Sequence, residues 1–132
     1  VDWFGPTDFL AMDEQLAESG LAHSADEDHN GSDSPESLLL GNKITLIPDL
    51  VRSANPETYI HPTVPPFFIQ HGKVDDIVPH QQSVNFAAKV REIAGNDRVF
   101  LELIEGAGHG DRKFELVKNV NKVLGFLDQN LK

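Results

Sequence analysis

Two kinds of apolar pattern alternate along this chain. Phe67-Phe68-Ile69, leading into Gln70-His71, is a short run apolar on both faces, and Val99-Phe100-Leu101-Glu102-Leu103-Ile104 is a second run of strand length. Strands buried in a parallel sheet read this way. The other pattern is helical. Val84, Ala87, Val90 and Ile93/Ala94 form a stripe with Pro79 near its start and Gly95-Asn96-Asp97 as its stop. Phe114, Val117, Val120, Leu124, Leu127 and Leu131 predict a last helix from about Asp111 to Asn130, with these residues facing inward. At the front, Val1-Asp2-Trp3-Phe4 reads as the end of a strand breaking into a turn at Gly5-Pro6. A helical stretch follows, with Phe9, Met12 and Leu16 on one side and Gly20 as its stop.

Residues 22–37 have no apolar period; they are acidic and rich in small side chains, and read as a surface loop or insertion. Ser34-Pro35 opens a short helix through Leu38, Leu39 and Leu40 to Gly41, because Pro suits the first helical position. A second helix covers about 48–54. Pro62, Pro65 and Pro66 then force an extended approach to the next strand. The predicted order is strand, helical insert, strand, helix, strand, helix. That is an α/β fold: the carboxyl-terminal half of a doubly wound sheet, with a cap or insertion region at 20–60.

Composition narrows the function. The 132 residues suffice for one domain with its own core, though they are few for an α/β enzyme. A net charge of -10 would repel phosphate backbones and anionic lipid, so no nucleic acid and no membrane surface is expected as a partner. No apolar run approaches the ~18 residues of a bilayer span. The absence of cysteine excludes disulfides, thiolate zinc sites and a cysteine nucleophile. Nothing in the composition fixes a compartment. A chain that opens at Val1 inside a strand is expected to be the carboxyl-terminal part of something longer.

The chemistry sits where strand gives way to helix. His71-Gly72-Lys73-Val74-Asp75-Asp76-Ile77-Val78-Pro79 and Gly106-Ala107-Gly108-His109-Gly110 each follow a strand and precede a helix. In an open α/β sheet such loops lie side by side beyond the carboxyl ends of the strands. Asp75 can therefore meet His109, whose flanking glycines let the imidazole project from its loop. Asp76 is the rival acid. A carboxylate holding an imidazole is two-thirds of a nucleophilic triad. Either loop alone would read as turn punctuation; two in this order favour catalysis.

The order His71-Gly72-x-x-Asp75-x-x-Val78-Pro79 followed by Gly106-x-Gly108-His109-Gly110 resembles the closing section of an α/β-hydrolase. More narrowly, it is similar to the esterase/lipase branch, which includes esterases removing acyl groups from plant-wall polysaccharides. Trp3-Phe4-Gly5-Pro6-Thr7-Asp8-Phe9, Ser34-Pro35-Glu36-Ser37 and Ala54-Asn55-Pro56-x-Thr58-Tyr59-Ile60 carry the same resemblance. Only the acidic insert around residues 22–33 stands apart from it. The resemblance implies that Asp75 is the triad acid and His109 the base, that residues 1–132 are a partial hydrolase domain, and that no cofactor is needed. It also implies a serine in Gly-x-Ser-x-Gly, earlier in the chain than acid and base. None of Ser19, Ser24, Ser32, Ser34, Ser37, Ser53 and Ser83 lies in that motif. The expected reading is the carboxyl-terminal part of a serine ester hydrolase, inactive alone, whose partners are its missing amino-terminal half or a second copy through the first strand. The expected substrate is a small-molecule or carbohydrate ester. A peptidase of the same fold is the near alternative, and a non-catalytic binding or assembly module the distant one.

Other candidates are weaker. Asp26-x-Asp28-x-Asn30-Gly31 begins a calcium-loop pattern, but its twelfth position is Ser37 rather than glutamate. His23 and His29 read as solvent-facing in the insert rather than as zinc ligands. His61 and His80 lack a partner pattern. His71 is expected to end its strand and support the acid loop. Trp3, Phe67 and Phe68 are assigned to the core, Ser83 to a helix surface and Asp8 to a cap.

Overall fold

The computed structural model describes residues 1–21 and 28–131. Three parallel strands, β1 (Asp2–Trp3), β2 (Phe67–Gly72) and β3 (Val99–Ile104), lie in the order β1-β2-β3. Opposite Gln70 lie Trp3 on one side and Glu102 on the other, so these three share one face of the sheet. Ile69 and its neighbours face the opposite way. The second face packs against α4 (Gln81–Ala94), where Ile69, Val99, Phe86, Ala87 and Val90 form one core. The first face packs against α5 (Val117–Asn130): Phe126 sets its ring 5.6 Å from Phe68 and 6.3 Å from Phe100. Helices on both faces of a parallel sheet confirm the predicted α/β class.

The first face also holds a polar cluster that no apolar pattern reveals. Gln70 is fully buried. Its Oε1 accepts from Trp3 Nε1 at 2.7 Å and Asn119 Nδ2 at 3.0 Å; its Nε2 donates to Asn119 Oδ1 at 2.6 Å and Glu102 Oε2 at 2.7 Å. Every hydrogen-bonding position of this amide is occupied, which makes its burial tolerable. Asn119 therefore sets the phase of α5, and the predicted inward stripe is corrected. Val117, Leu124 and Leu131, seven residues apart, are 75%, 51% and 77% exposed. The helix also starts later than predicted, after a separate 3-10 turn at Arg112–Glu115 that buries Phe114.

The stripe on α4 is likewise corrected. Gln82, Ser83, Phe86, Ala87 and Val90 are buried, Val84 only partly so, and Ile93 is exposed. Polar residues occupy the buried face because partners await them there. Gln82 Oε1 accepts from the Thr7 and Asp8 N–H groups at 2.8 and 2.7 Å, while its Nε2 donates to Asp8 O and Gln15 Oε1. Asp8 precedes a 3-10 turn at Phe9–Ala11 without capping it; its side chain accepts from Asn55 Nδ2 instead.

Between β1 and β2 run α1 (Met12–Ser19), α2 (Pro35–Leu40) and α3 (Pro48–Ala54). Phe9, Met12 and Leu16 are buried and Gly20 ends α1 in the left-handed conformation, as predicted. Ser34 accepts a hydrogen bond from Ser37 N–H at 3.1 Å, which caps α2 ahead of Pro35. Phe9, Met12, Ile44 and Val51 form a second core with Val78 of the acid loop, and Ile77 packs against it. The 28–37 part of the insert is no open surface loop: His29, Ser34, Glu36 and Ser37 are buried. His23 and Asp26 lie outside the described residues.

Backbone contact ties the two loops together. Val74 N–H donates to Ala107 O at 3.0 Å, and Lys73 N–H to Ile104 O at 3.1 Å. A Cβ on Gly72 would lie 2.3 Å from Ala107 O and 2.9 Å from Gly108 O. Both obstacles are backbone, so the loops would have to part. Gly72→Ala is predicted to destabilise the chain by about 1–3 kcal/mol, read as a lower urea midpoint with the slope preserved; an unchanged midpoint would show that the loops do not need this close approach.

Candidate active site

The end of β2 and the end of β3 deliver Asp75 and His109 to one place. Asp75 follows the strand by three residues, in a turn where its N–H donates to Gly72 O at 3.3 Å. His109 follows β3 in a turn whose glycines at 106 and 110 adopt φ of 61° and 62°, a region costly for other residues. The imidazole Nδ1 lies 3.0 Å from Asp75 Oδ2. A carboxylate only accepts, so Nδ1 carries the proton and Nε2 of the neutral ring is left to accept another. The Asp75 side chain is fully buried and that of His109 is 31% exposed. Asp76 is exposed, and Asp75 is the acid that meets the histidine.

Three hydrogen bonds and the nearby His71 ring surround Asp75. Oδ1 accepts from the Ile77 and Val78 N–H groups at 3.0 and 2.9 Å. Oδ2 receives His109, and His71 Nε2 stands 3.2 Å away. Burial alone would push this carboxyl upward; its interactions with His71, Val78, His109 and Ile77 outweigh it and hold the pKa below the usual carboxylate range. The group is thus a charged, hydrogen-bonded anion facing a ring nitrogen.

His71 supports the acid loop, as its position predicts, but through a partner that sequence reasoning misassigns. Its Nε2 lies 2.8 Å from Val78 O and its Nδ1 2.7 Å from Ser83 Oγ. Carbonyl and carboxylate both require a proton on Nε2, so in the neutral ring Nδ1 accepts from the Ser83 hydroxyl. Ser83 is completely buried rather than on a helix surface. The available signal is its position four residues before Ala87, on the same helix face.

Phe4 is a second residue the pattern does not disclose. It is the one non-glycine with positive φ among the described residues, at 50°. Its ring stands edge-on to the His109 imidazole at 4.7 Å and to Phe114 at 4.8 Å. A left-handed phenylalanine is strained, and such strain collects at functional sites. Here it turns the ring under the imidazole at the end of β1. His80 and His61 remain outside this group; His61 Nδ1 pairs with Thr63 Oγ1 at 3.0 Å on the surface. Among the described residues, no three His, Cys, Asp or Glu side chains converge as metal ligands.

Several known proteins resemble this chain. The chain is 39% identical over 68 residues to esterase LipQ of Mycobacterium tuberculosis, a match covering 52% of this chain and 16% of that protein. It is 32% identical over 75 residues to esterase LipC of the same organism, covering 57% of this chain and 18% of that one. It therefore spans less than a fifth of these relatives' length. A truncated carbohydrate esterase from gut microbiota superposes with a TM-score of 0.75 at 30% identity, over 98% of this chain and 41% of that one. A bifunctional GH43-CE protein of Bacteroides eggerthii also gives 0.75, at 28% identity, over 100% of this chain and 16% of that one. The BD-FAE family matches residues 1–90, a stretch that contains Asp75 and stops short of His109. With that match over more than half its length, the chain belongs to the BD-FAE family, an α/β-hydrolase esterase family.

Proposed function

We propose that this chain is the acid-and-base part of a serine hydrolase acting on carboxylic esters of carbohydrates. The observation that carries the reading is the 3.0 Å contact between His109 Nδ1 and the buried carboxylate of Asp75. In this reading a serine from outside the present sequence attacks the ester carbonyl, and its proton passes to His109 Nε2. The tetrahedral intermediate collapses as the leaving alcohol takes that proton back, which leaves an acyl-serine. Water then repeats both proton transfers and releases the acid. Asp75 keeps the ring in the Nδ1–H tautomer and stabilises the imidazolium formed at each step. The carbohydrate assignment is supported by the solved carbohydrate esterase from gut microbiota, which shares the fold along nearly the whole chain.

The upstream part that supplies serine and oxyanion donors also has surfaces to cover. Among the described residues β1 pairs on one side only, and the Val117–Leu124–Leu131 stripe faces outward. Unpaired strand edges and contiguous apolar surface promote association. This chain alone is predicted to elute at a concentration-dependent size on gel filtration and to leave an aryl acetate intact. A monomer at every concentration would count against the missing-half assignment.

In the full-length parent, His109→Ala is predicted to lower kcat for an acetylated oligosaccharide on the order of 10⁴-fold or more, and Asp75→Asn somewhat less. Asp76→Asn should stay within a few-fold of the parent. Near-normal turnover in either of the first two would reject the roles given to them.

A further inference from the structure

The insert reaches the site through one buried ring. His29 is only 5% exposed, although its acidic surroundings in the sequence suggest a solvent-facing residue. Its Nδ1 lies 3.3 Å from Glu36 Oε2 on α2, and its Nε2 lies 2.9 Å from the carbonyl oxygen of Ile77 in the acid loop. A carboxylate and a carbonyl both only accept. Both contacts are hydrogen bonds only when both ring nitrogens carry protons, so the clasp requires the imidazolium.

The carbonyl that His29 holds belongs to the same peptide unit as the N–H of Val78. That N–H donates to Asp75 Oδ1 at 2.9 Å. One rigid amide plane thus has its oxygen tied to His29 and its hydrogen aimed at the acid. A donor on the oxygen polarises the amide and strengthens its N–H as a donor in turn. The turn bearing His29 is itself fixed. Asp13 of α1 accepts from His29 N–H at 3.0 Å and Asn30 N–H at 2.9 Å, and Ser37 Oγ donates to Gly31 O at 2.6 Å.

We propose that His29, held in its charged form by Glu36, is a positioning residue: it fixes the Ile77–Val78 peptide that holds Asp75 toward His109. Its importance for turnover rests on the ester-hydrolase reading; its geometry does not. Among the described residues, the charged groups around the ring are Glu36 from α2 and Asp13 from α1, with Asp75 one peptide beyond in the acid loop. The bond from Glu36 raises the pKa of His29, burial opposes it, and the Ile77 carbonyl adds to the rise. For Glu36, burial pushes upward, and the bonds from His29, its own N–H and Ser34 bring the net value below the usual range. Because the folded value for His29 lies above the unfolded one, the clasp is complete below the ordinary imidazole range. It is lost as pH rises through the folded value.

A titration of this chain by NMR, following the His29 ring and the Val78 backbone amide, tests the link without any turnover assay. In the unaltered chain the Val78 amide should change with the same midpoint as the His29 ring. In Glu36→Gln both midpoints should move together to lower pH. In His29→Gln, whose amide can still donate to the Ile77 carbonyl, that transition should vanish. A Val78 amide that ignores His29, or that keeps its transition in His29→Gln, overturns the proposal. Should both variants unfold, unequal midpoints in the unaltered chain decide against it just as firmly. Failure here would leave the assignments of Asp75 and His109 untouched, and their failure would not alter this titration.

Discussion

A carboxylate with no exposed surface stays charged only if donors surround its oxygens, and Asp75 meets that condition with three hydrogen bonds and the His71 ring close by. Two of the bonds come from backbone N–H groups of its own turn and one from His109 in the loop after β3, while His71 at the end of β2 stands 3.2 Å from Oδ2. Removing one partner from a buried, charge-assisted set costs about 3–5 kcal/mol. Much of the chain is arranged so that none is removed. The Gly72–Ala107 approach keeps the two loops in register, Ser83 holds His71 from α4, and Val78 anchors the acid loop in the core shared with α1 and α3.

The sheet is held from its other face by the same device in neutral form. Gln70, at the centre of β2, spends its whole amide on Trp3, Asn119 and Glu102, and so registers β1, β3 and α5 against one another. Glu102 is in turn paired with Lys122 of α5, whose ammonium holds its pKa below the ordinary value. Adjacent residues on one strand, Gln70 and His71, therefore serve opposite faces. The first positions the helix, and the second positions the acid.

Much of this was legible in the residues. Two runs of strand length, glycines at the right bends and a Ser-Pro helix start give the element order, because each is a local effect of backbone sterics and burial. The contact of Asp75 with His109 was legible because the loops that follow neighbouring parallel strands lie side by side. The phases of α4 and α5 were not, because an apolar count treats Gln82, Ser83 and Asn119 as outward residues. They face inward, since their partners come from segments 75, 12 and 49 residues away. Phe4 carries no mark at all, as nothing local forces a phenylalanine into the left-handed region. The acidity around His29 concealed it for a similar reason: its Glu36 and Ile77 partners emerge only when the insert folds back on the acid loop.

The pairing of Asp75 with His109 fixes the state of one ring, and ¹⁵N shifts of the two His109 nitrogens report it directly. A neutral histidine free in water favours the proton on Nε2. At a pH where His109 is neutral, the reverse is expected here: a proton on Nδ1 with a strongly low-field resonance, lost when Asp75 is replaced by asparagine. A ring that carries its proton on Nε2, or that is indifferent to Asp75→Asn, would contradict it.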